Sequence, residues 1–400
     1  MKFNQWTLGL AAVGVVSLAS VVQAEEAAKP SSVMTALGST TLSGYVDTSA
    51  QWNIGTGNAN NPAYAFGGPS KADGFNLNVV KVTLEKPAEA TEGWGAGYKV
   101  DLLFGPDANS LATQSTTSTG ASDFGIKQAY VDLKAPIGNG LDFKIGVWDT
   151  IIGYEVFESG NNPNFTRSYG YSIEPTTHTG ILASYQVNDM IGLSAGVANT
   201  YGPQINARAN PPRAESYKTY LGSVSLTAPK DWGWVAGSTL YGCVINGFNS
   251  ASPATGGGAA DQTSFYVGST LNTPVKALKL GVAYDYAGAS KQAITTSGYA
   301  NAVSLYATFQ ASEKLSLNGR AEYFSQSKAN TFVGLPGQVF AYTATVQYDL
   351  WKNVLSRLEV RWDHQADGTG HAYGTSNGAD FLGGSRRNAY EVIANVIYKF

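Results

Sequence analysis

The chain carries one cysteine, Cys243, so no internal disulfide can form. Charged residues make up only 14% of it and the formal net charge is −3, a balance that offers nucleic acid little to hold. Past the N-terminal stretch, no run of eighteen apolar residues occurs, so helices cannot carry this chain through a bilayer. Long helical periodicity is missing too. Histidines number three, His178, His364 and His371, and no serine joins them in a recognisable nucleophile motif. His364 and His371 lie near Asp363 and Asp367, but at a spacing that matches no standard metal site. The expectation is no catalytic residues, no metal and no cofactor.

What is abundant points elsewhere. Glycine is 46 of 400 residues, tyrosine 23 and tryptophan 8. Alternation is everywhere. At the C-terminus Tyr390, Val392, Ala394, Val396, Tyr398 and Phe400 share one parity, with Glu391, Asn395 and Lys399 on the other. A period of two means a strand with one apolar face. A chain that closes on an aromatic strand end resembles the signal read by the barrel-assembly machinery of bacterial outer membranes, which makes that machinery an expected partner through Phe400. At the other end, Lys2, the uncharged run Leu8 to Val22 and the small residues at Val22-Gln23-Ala24 read as a cleaved secretory signal peptide, residues 1–24. Residues 25–40 then form a short periplasmic segment, and 41–400 the membrane domain.

The spacing predicts strands near 41–53, 75–86, 94–104, 123–134, 140–149, 178–187, 190–200 and 215–228. The second half gives 231–245, 262–273, 277–288, 299–311, 314–327, 338–350, 353–363 and 389–400. Each is long enough to cross a bilayer at a tilt. The connections alternate between short turns, such as Asn188-Asp189, Pro229-Lys230 and Ser312-Glu313, and long polar segments, among them 54–74, 105–122, 150–177 and 364–388. A soluble sandwich has no reason to sort loop length by parity, whereas an outer-membrane barrel does. Backbone groups in lipid must all be paired, which leaves a closed barrel. The expected fold is therefore an all-β, antiparallel up-and-down transmembrane barrel of about sixteen strands. Less clean patterns over 178–187, 190–200 and 231–245 leave fourteen or eighteen open. Tryptophans at strand ends (Trp52, Trp94, Trp148, Trp232, Trp234, Trp351 and Trp362) are expected in interfacial girdles.

Sixteen strands enclose an aqueous channel unless something plugs it. Parity sends Lys99, Asp101, Lys144, Arg320, Glu322, Arg357, Glu359 and Arg361 to the lumen as pore-lining candidates, with Lys81, Lys127, Asp47 and Asp363. They can stiffen the wall as cross-strand ion pairs, act on permeating ions, or both. The longest loop, 150–177, carries Glu155, Glu158 and Arg167 in a frame of Tyr154, Phe157, Phe165, Tyr169 and Tyr171. These three charges are expected at a pore constriction, the alternative being solvated charges on an external loop.

The pieces Gly153-Tyr154-Glu155, Asn162-Pro163-Asn164-Phe165-Thr166-Arg167-Ser168-Tyr169 and Thr177-His178-Thr179-Gly180 resemble the beta-barrel porin type 2 family, the OmpL-like porins. Gln128-Ala129-Tyr130-Val131 and Lys144-Ile145-Gly146 fit its pattern as well. The resemblance implies an outer-membrane barrel with a channel role and adds little about substrate. Expected partners are outer-membrane lipid and small hydrophilic solutes or ions; analogy with sixteen-stranded porins adds a homotrimer. A rim-located enzyme, an adhesive or structural barrel and a soluble secreted β protein are the rival readings.

Overall fold

A computed structural model describes residues 39–55, 59–89, 93–111, 113, 122–209, 217–248, 261–289, 298–327, 336–380 and 382–400. The signal-peptide expectation and nearly all of the 25–40 segment fall outside the described residues. Sixteen antiparallel strands close on themselves. They are β1 (Thr41–Asn53), β2 (Gly74–Lys86), β3 (Gly95–Phe104), β4 (Phe124–Ala135), β5 (Leu141–Asp149), β6 (Thr177–Gln186), β7 (Ile191–Ala198) and β8 (Thr219–Thr227). The circuit continues with β9 (Thr239–Phe248), β10 (Asp261–Asn272), β11 (Leu278–Ala289), β12 (Gly298–Gln310), β13 (Leu315–Gln326), β14 (Gln338–Trp351), β15 (Val354–Gln365) and β16 (Asn388–Lys399). Each strand pairs with its neighbours in sequence. The seam is β1 on β16, in register from Tyr45↔Lys399 to Asn53↔Glu391, so no edge is left unpaired.

The alternation fixes which face meets which solvent. On β15, Leu358 and Val360 are exposed while Arg357, Glu359, Arg361 and Asp363 are buried. On β16, Tyr390, Val396 and Tyr398 are exposed, whereas Glu391, Ile393, Asn395 and Ile397 are buried. This inverts a soluble protein: apolar side chains face out and charged ones face in, the pattern of a lipid-embedded barrel. No helix among the described residues is long and apolar enough to span a membrane.

Two bulges re-aim side chains. A register shift at Asp101/Leu102 opposite β4 turns both Lys127 and Gln128 inward, and both are buried. A shift at Asp47/Thr48 does the same for Asn78 and Val79. Among the described residues two short α-helices accompany the barrel: α1 (Pro106–Leu111) and α2 (Tyr169–Ile173).

Two expectations are corrected. The strand placed at 231–245 begins at Thr239, because Asp231 to Ser238 form a turn with a 3-10 stretch at Gly233–Val235. Gly233 and Gly237, at φ 64° and 77°, force that turn, and the aromatic–apolar alternation there imitates a strand. Trp232 and Trp234 remain exposed in it. Trp148 is not in a girdle: it is fully buried inside the barrel, since it shares parity with Asp142 and Lys144 rather than with Val147.

Candidate functional site

The chain between β5 and β6 folds inward. Its ends are tied where the Thr150 N–H donates to the Thr176 carbonyl at 3.0 Å. Gly153, at φ 122°, makes the first bend; a Cβ there would lie 2.6 Å from the Glu174 carboxylate. Asn162 staples the tip by pairing its side-chain amide with both the N–H (2.9 Å) and the carbonyl (2.7 Å) of Val156. Ser168 caps α2, accepting from Tyr171 N–H at 3.0 Å.

Wall side chains hold this loop at many points. The Glu155 carboxylate accepts from Arg320 at 2.8 Å, from the Tyr306 hydroxyl at 3.2 Å and from the Ser168 N–H at 2.8 Å. Arg320 also bonds Glu322 at 2.6 Å and the Thr166 carbonyl at 2.6 Å. Glu359 accepts from the backbone N–H groups of Phe165 (2.6 Å) and Thr166 (2.9 Å). Arg361 makes two 2.9 Å bonds to Asp363 and donates to the Arg167 carbonyl at 2.7 Å. Glu158 is bound by Lys81 and lies 3.2 Å from Lys127, which also holds Asp149. Lys81 reaches Asp101 at 3.1 Å. Ser159 donates to Asp47 and Tyr169 to Asp363.

Seven of the eight pore-lining candidates are buried on the inward face, Lys144 is half-buried there, and Glu155, Glu158 and Arg167 are buried against that face. The three do not pair with one another. Glu155 is committed to Arg320 and Glu158 to lysines. The Arg167 guanidinium donates to the carbonyls of Phe165 (2.6 Å) and Phe157 and lies over the rings of Phe66 and Tyr171. Arg320 and Arg361 are neutralised by carboxylates. Arg357 has no carboxylate within ion-pair distance among the described residues and meets only the Asn162 carbonyl, at 3.5 Å.

The two ends of the loop differ electrostatically. Burial pushes the Glu158 carboxyl up, but Lys127 and Lys81 outweigh it and hold the group well below the ordinary carboxylate range. At Glu174 burial and the neighbouring Asp285 carboxylate act in the same direction and push it well above that range.

The opposite wall, β6 to β11, works differently. Trp148, Ile151, Ile152, Leu182, Leu221, Tyr241, Ile245 and Tyr266 pack in one buried cluster. Tyr154 stacks on Tyr306 at 4.1 Å and 16°. The Tyr241 hydroxyl donates to the Ile151 carbonyl at 2.5 Å. Cys243 is half-buried at the edge of this cluster.

Some lumenal residues escape a reading by parity because they sit in other loops. The Tyr64 hydroxyl donates to Glu391 at 2.8 Å while its ring lies 4.1 Å under the Arg361 guanidinium. Phe66 meets Phe157 edge-on at 5.1 Å. Ala108 and Leu111 of α1 are buried with Leu103 and Phe157. Nothing in the sequence around them marks an inward turn. Glu391, by contrast, follows from the alternation of β16. The histidines are scattered: His178 bonds Thr150 at 3.2 Å, His364 bonds Asn388 at 2.9 Å and His371 bonds Asp380 at 2.9 Å. Among the described residues no group of three metal-ligating side chains forms.

Residues 39–400 match the family model described as "Putative beta-barrel porin-2, OmpL-like". No curated protein matches the sequence. Among solved structures, the anion-selective porin from Comamonas acidovorans is 14% identical, with a TM-score of 0.58 over 90% of this chain and 99% of that one. The outer-membrane channel DcaP of Acinetobacter baumannii is 13% identical, with a TM-score of 0.57 over 90% and 97%. Outer-membrane expressed OmpT of Vibrio cholerae is 15% identical, with a TM-score of 0.54 over 90% and 97%. At these identities the likeness is one of fold.

Proposed function

The chain belongs to the OmpL-like beta-barrel porin-2 family, and from that premise we propose a water-filled channel in the outer membrane, narrowed by loop 150–177, through which small hydrophilic solutes or ions diffuse passively. The observation that carries this reading is the face inversion: the strands expose apolar side chains, and those from β13 round to β4 turn a charged set inward. A barrel of this width has room for both an inserted loop and water. Glu155, Glu158 and Arg167 are assigned to the constriction, because each is anchored to the lumenal wall or to the loop's own backbone rather than free outside. The reading is of a non-enzymatic role, and the family match supports it.

Reconstitution into planar bilayers tests the channel. Correctly folded protein gives stable unitary conductance steps. Silence from protein that retains its heat-resistant compact migration removes the channel and leaves an adhesive or structural barrel.

A further inference from the structure

Near the short-turn end, on the β2 to β5 side, six charged side chains face the lumen: Glu85, Lys99, Asp132, Lys134, Asp142 and Lys144. Four of them are committed in pairs. Lys99 lies 3.4 Å from Glu85, and Lys134 lies 3.9 Å from Asp142. Asp132 and Lys144 are left. They are direct register partners on β4 and β5, so their Cα atoms face each other across one ladder step. That placement is the standard one for a cross-strand ion pair. Yet among the described residues no ion pair joins them. Lys144 instead holds its ammonium over the Tyr130 ring, 5.0 Å from the centroid. Both side chains are half-buried rather than sealed, unlike the fully covered Arg361 and Glu359.

The short turn through Ala88 folds over Gly97, the residue opposite Asp132 on β3. A Cβ at Gly97 would meet the Lys86 carbonyl at 2.2 Å and the Ala88 nitrogen at 2.5 Å. Only glycine lets the turn press inward there, beside Asp132. On the other flank Ser184 faces Asp142 across the ladder, and its hydroxyl is 3.0 Å from that of Ser194. The station therefore has one available carboxylate, one available ammonium and neutral hydroxyls beside them.

We propose that Asp132 and Lys144 form a binding station for small zwitterionic solutes of the α-amino-acid type, with the solute carboxylate on Lys144 and its ammonium on Asp132. A solute with one charge gains one partner here and is repelled by the other. A zwitterion whose two charges flank a single carbon satisfies both, each contact being a charge-assisted hydrogen bond. Selectivity then comes from geometry rather than from net charge, which is balanced at this spot. The proposal deepens the channel reading and rests on it only for the route by which a solute arrives.

Saturation-transfer NMR on the detergent-folded barrel tests it without requiring conduction. The probes are L-alanine, L-lactate and isopropylamine. The wild-type chain is expected to bind L-alanine more tightly than either singly charged analogue. Lys144→Gln and Asp132→Asn should each weaken L-alanine binding by about tenfold, the loss of one charge-assisted contact. The exchanged double variant Asp132→Lys/Lys144→Asp should bind again, because the two charges only trade places. It also serves as the test if a single variant fails to fold. Equal binding of all three probes, or unchanged L-alanine binding in both single variants, overturns the station. A barrel that binds L-alanine but never conducts sinks the channel reading alone; one that conducts without binding sinks the station alone.

Discussion

The two walls of the lumen bury a loop by opposite means. From β13 round to β4 the contact is ionic, with Arg320, Arg361, Lys81 and Lys127 each held by at least one carboxylate. From β6 to β11 it is apolar and tyrosine-rich, and hydroxyls such as that of Tyr241 satisfy loop carbonyls. The ionic wall demands specific partners in specific places, and removing one leaves a charge buried alone. The tyrosine wall fills volume, and losing a hydroxyl there removes one neutral hydrogen bond rather than stranding a charge. The ionic wall thus fixes where the loop sits, and the tyrosine wall fills the space behind it.

The most severe way to break this comparison is to remove what both walls hold. Deleting residues 154–171 should leave a folded barrel, since the strand ladder does not pass through them. Unitary conductance should rise several-fold. An unchanged conductance would mean that the loop does not limit the path.

Next comes one ionic contact. Arg320→Ala strips the partner from Glu155 and Glu322, whose side chains, like that of Arg320, are fully covered. Breaking a buried pair this way costs about 3–5 kcal/mol. Urea unfolding in micelles should show that loss. Arg320→Met with Glu155→Gln and Glu322→Gln should recover much of it, because no charge is then stranded.

How much of this was legible beforehand follows the same division. Strand number, closure and the inward set on β13, β15 and β16 could be read from alternation, because a period of two is a local property. Even so, a strand-end tryptophan such as Trp148 points to a girdle, whereas its parity with Lys144 sends it inward. The turn at 231–238 imitates a strand because Trp232 and Trp234 alternate as strand residues do. Which charge meets which was not legible. Glu155 finds Arg320 across 165 residues of sequence, and Tyr64 finds Glu391 across 327, distances at which no local pattern carries information. Arg167 shows the limit most clearly: nothing local to it announces that its partners are the carbonyls of Phe165 and Phe157 and the rings of Phe66 and Tyr171.

Smaller effects sharpen the contrast between the loop's two ends. The lowered Glu158 value means that its contribution is complete above the unfolded carboxylate value and is lost as pH falls through the folded one. Glu174 runs the other way. Its raised value means that the fold favours the neutral acid, so its contribution is complete below the unfolded value and fades as pH rises through the folded one. Glu158→Gln should therefore flatten the acid arm of a stability–pH curve and Glu174→Gln the alkaline arm. Identical changes in both variants would erase the difference between the walls.

The smallest expected change belongs to the tyrosine wall. Tyr241→Phe keeps the ring in its cluster and removes one hydroxyl bond to the Ile151 carbonyl. A neutral hydrogen bond contributes about 1 kcal/mol net, well short of the Arg320 effect, and the loop should keep its position, so unitary conductance should not move. Should this variant destabilise the barrel as much as Arg320→Ala does, or open the channel, the tyrosines would be positioning the loop rather than filling space, and the division of labour between the two walls would be wrong.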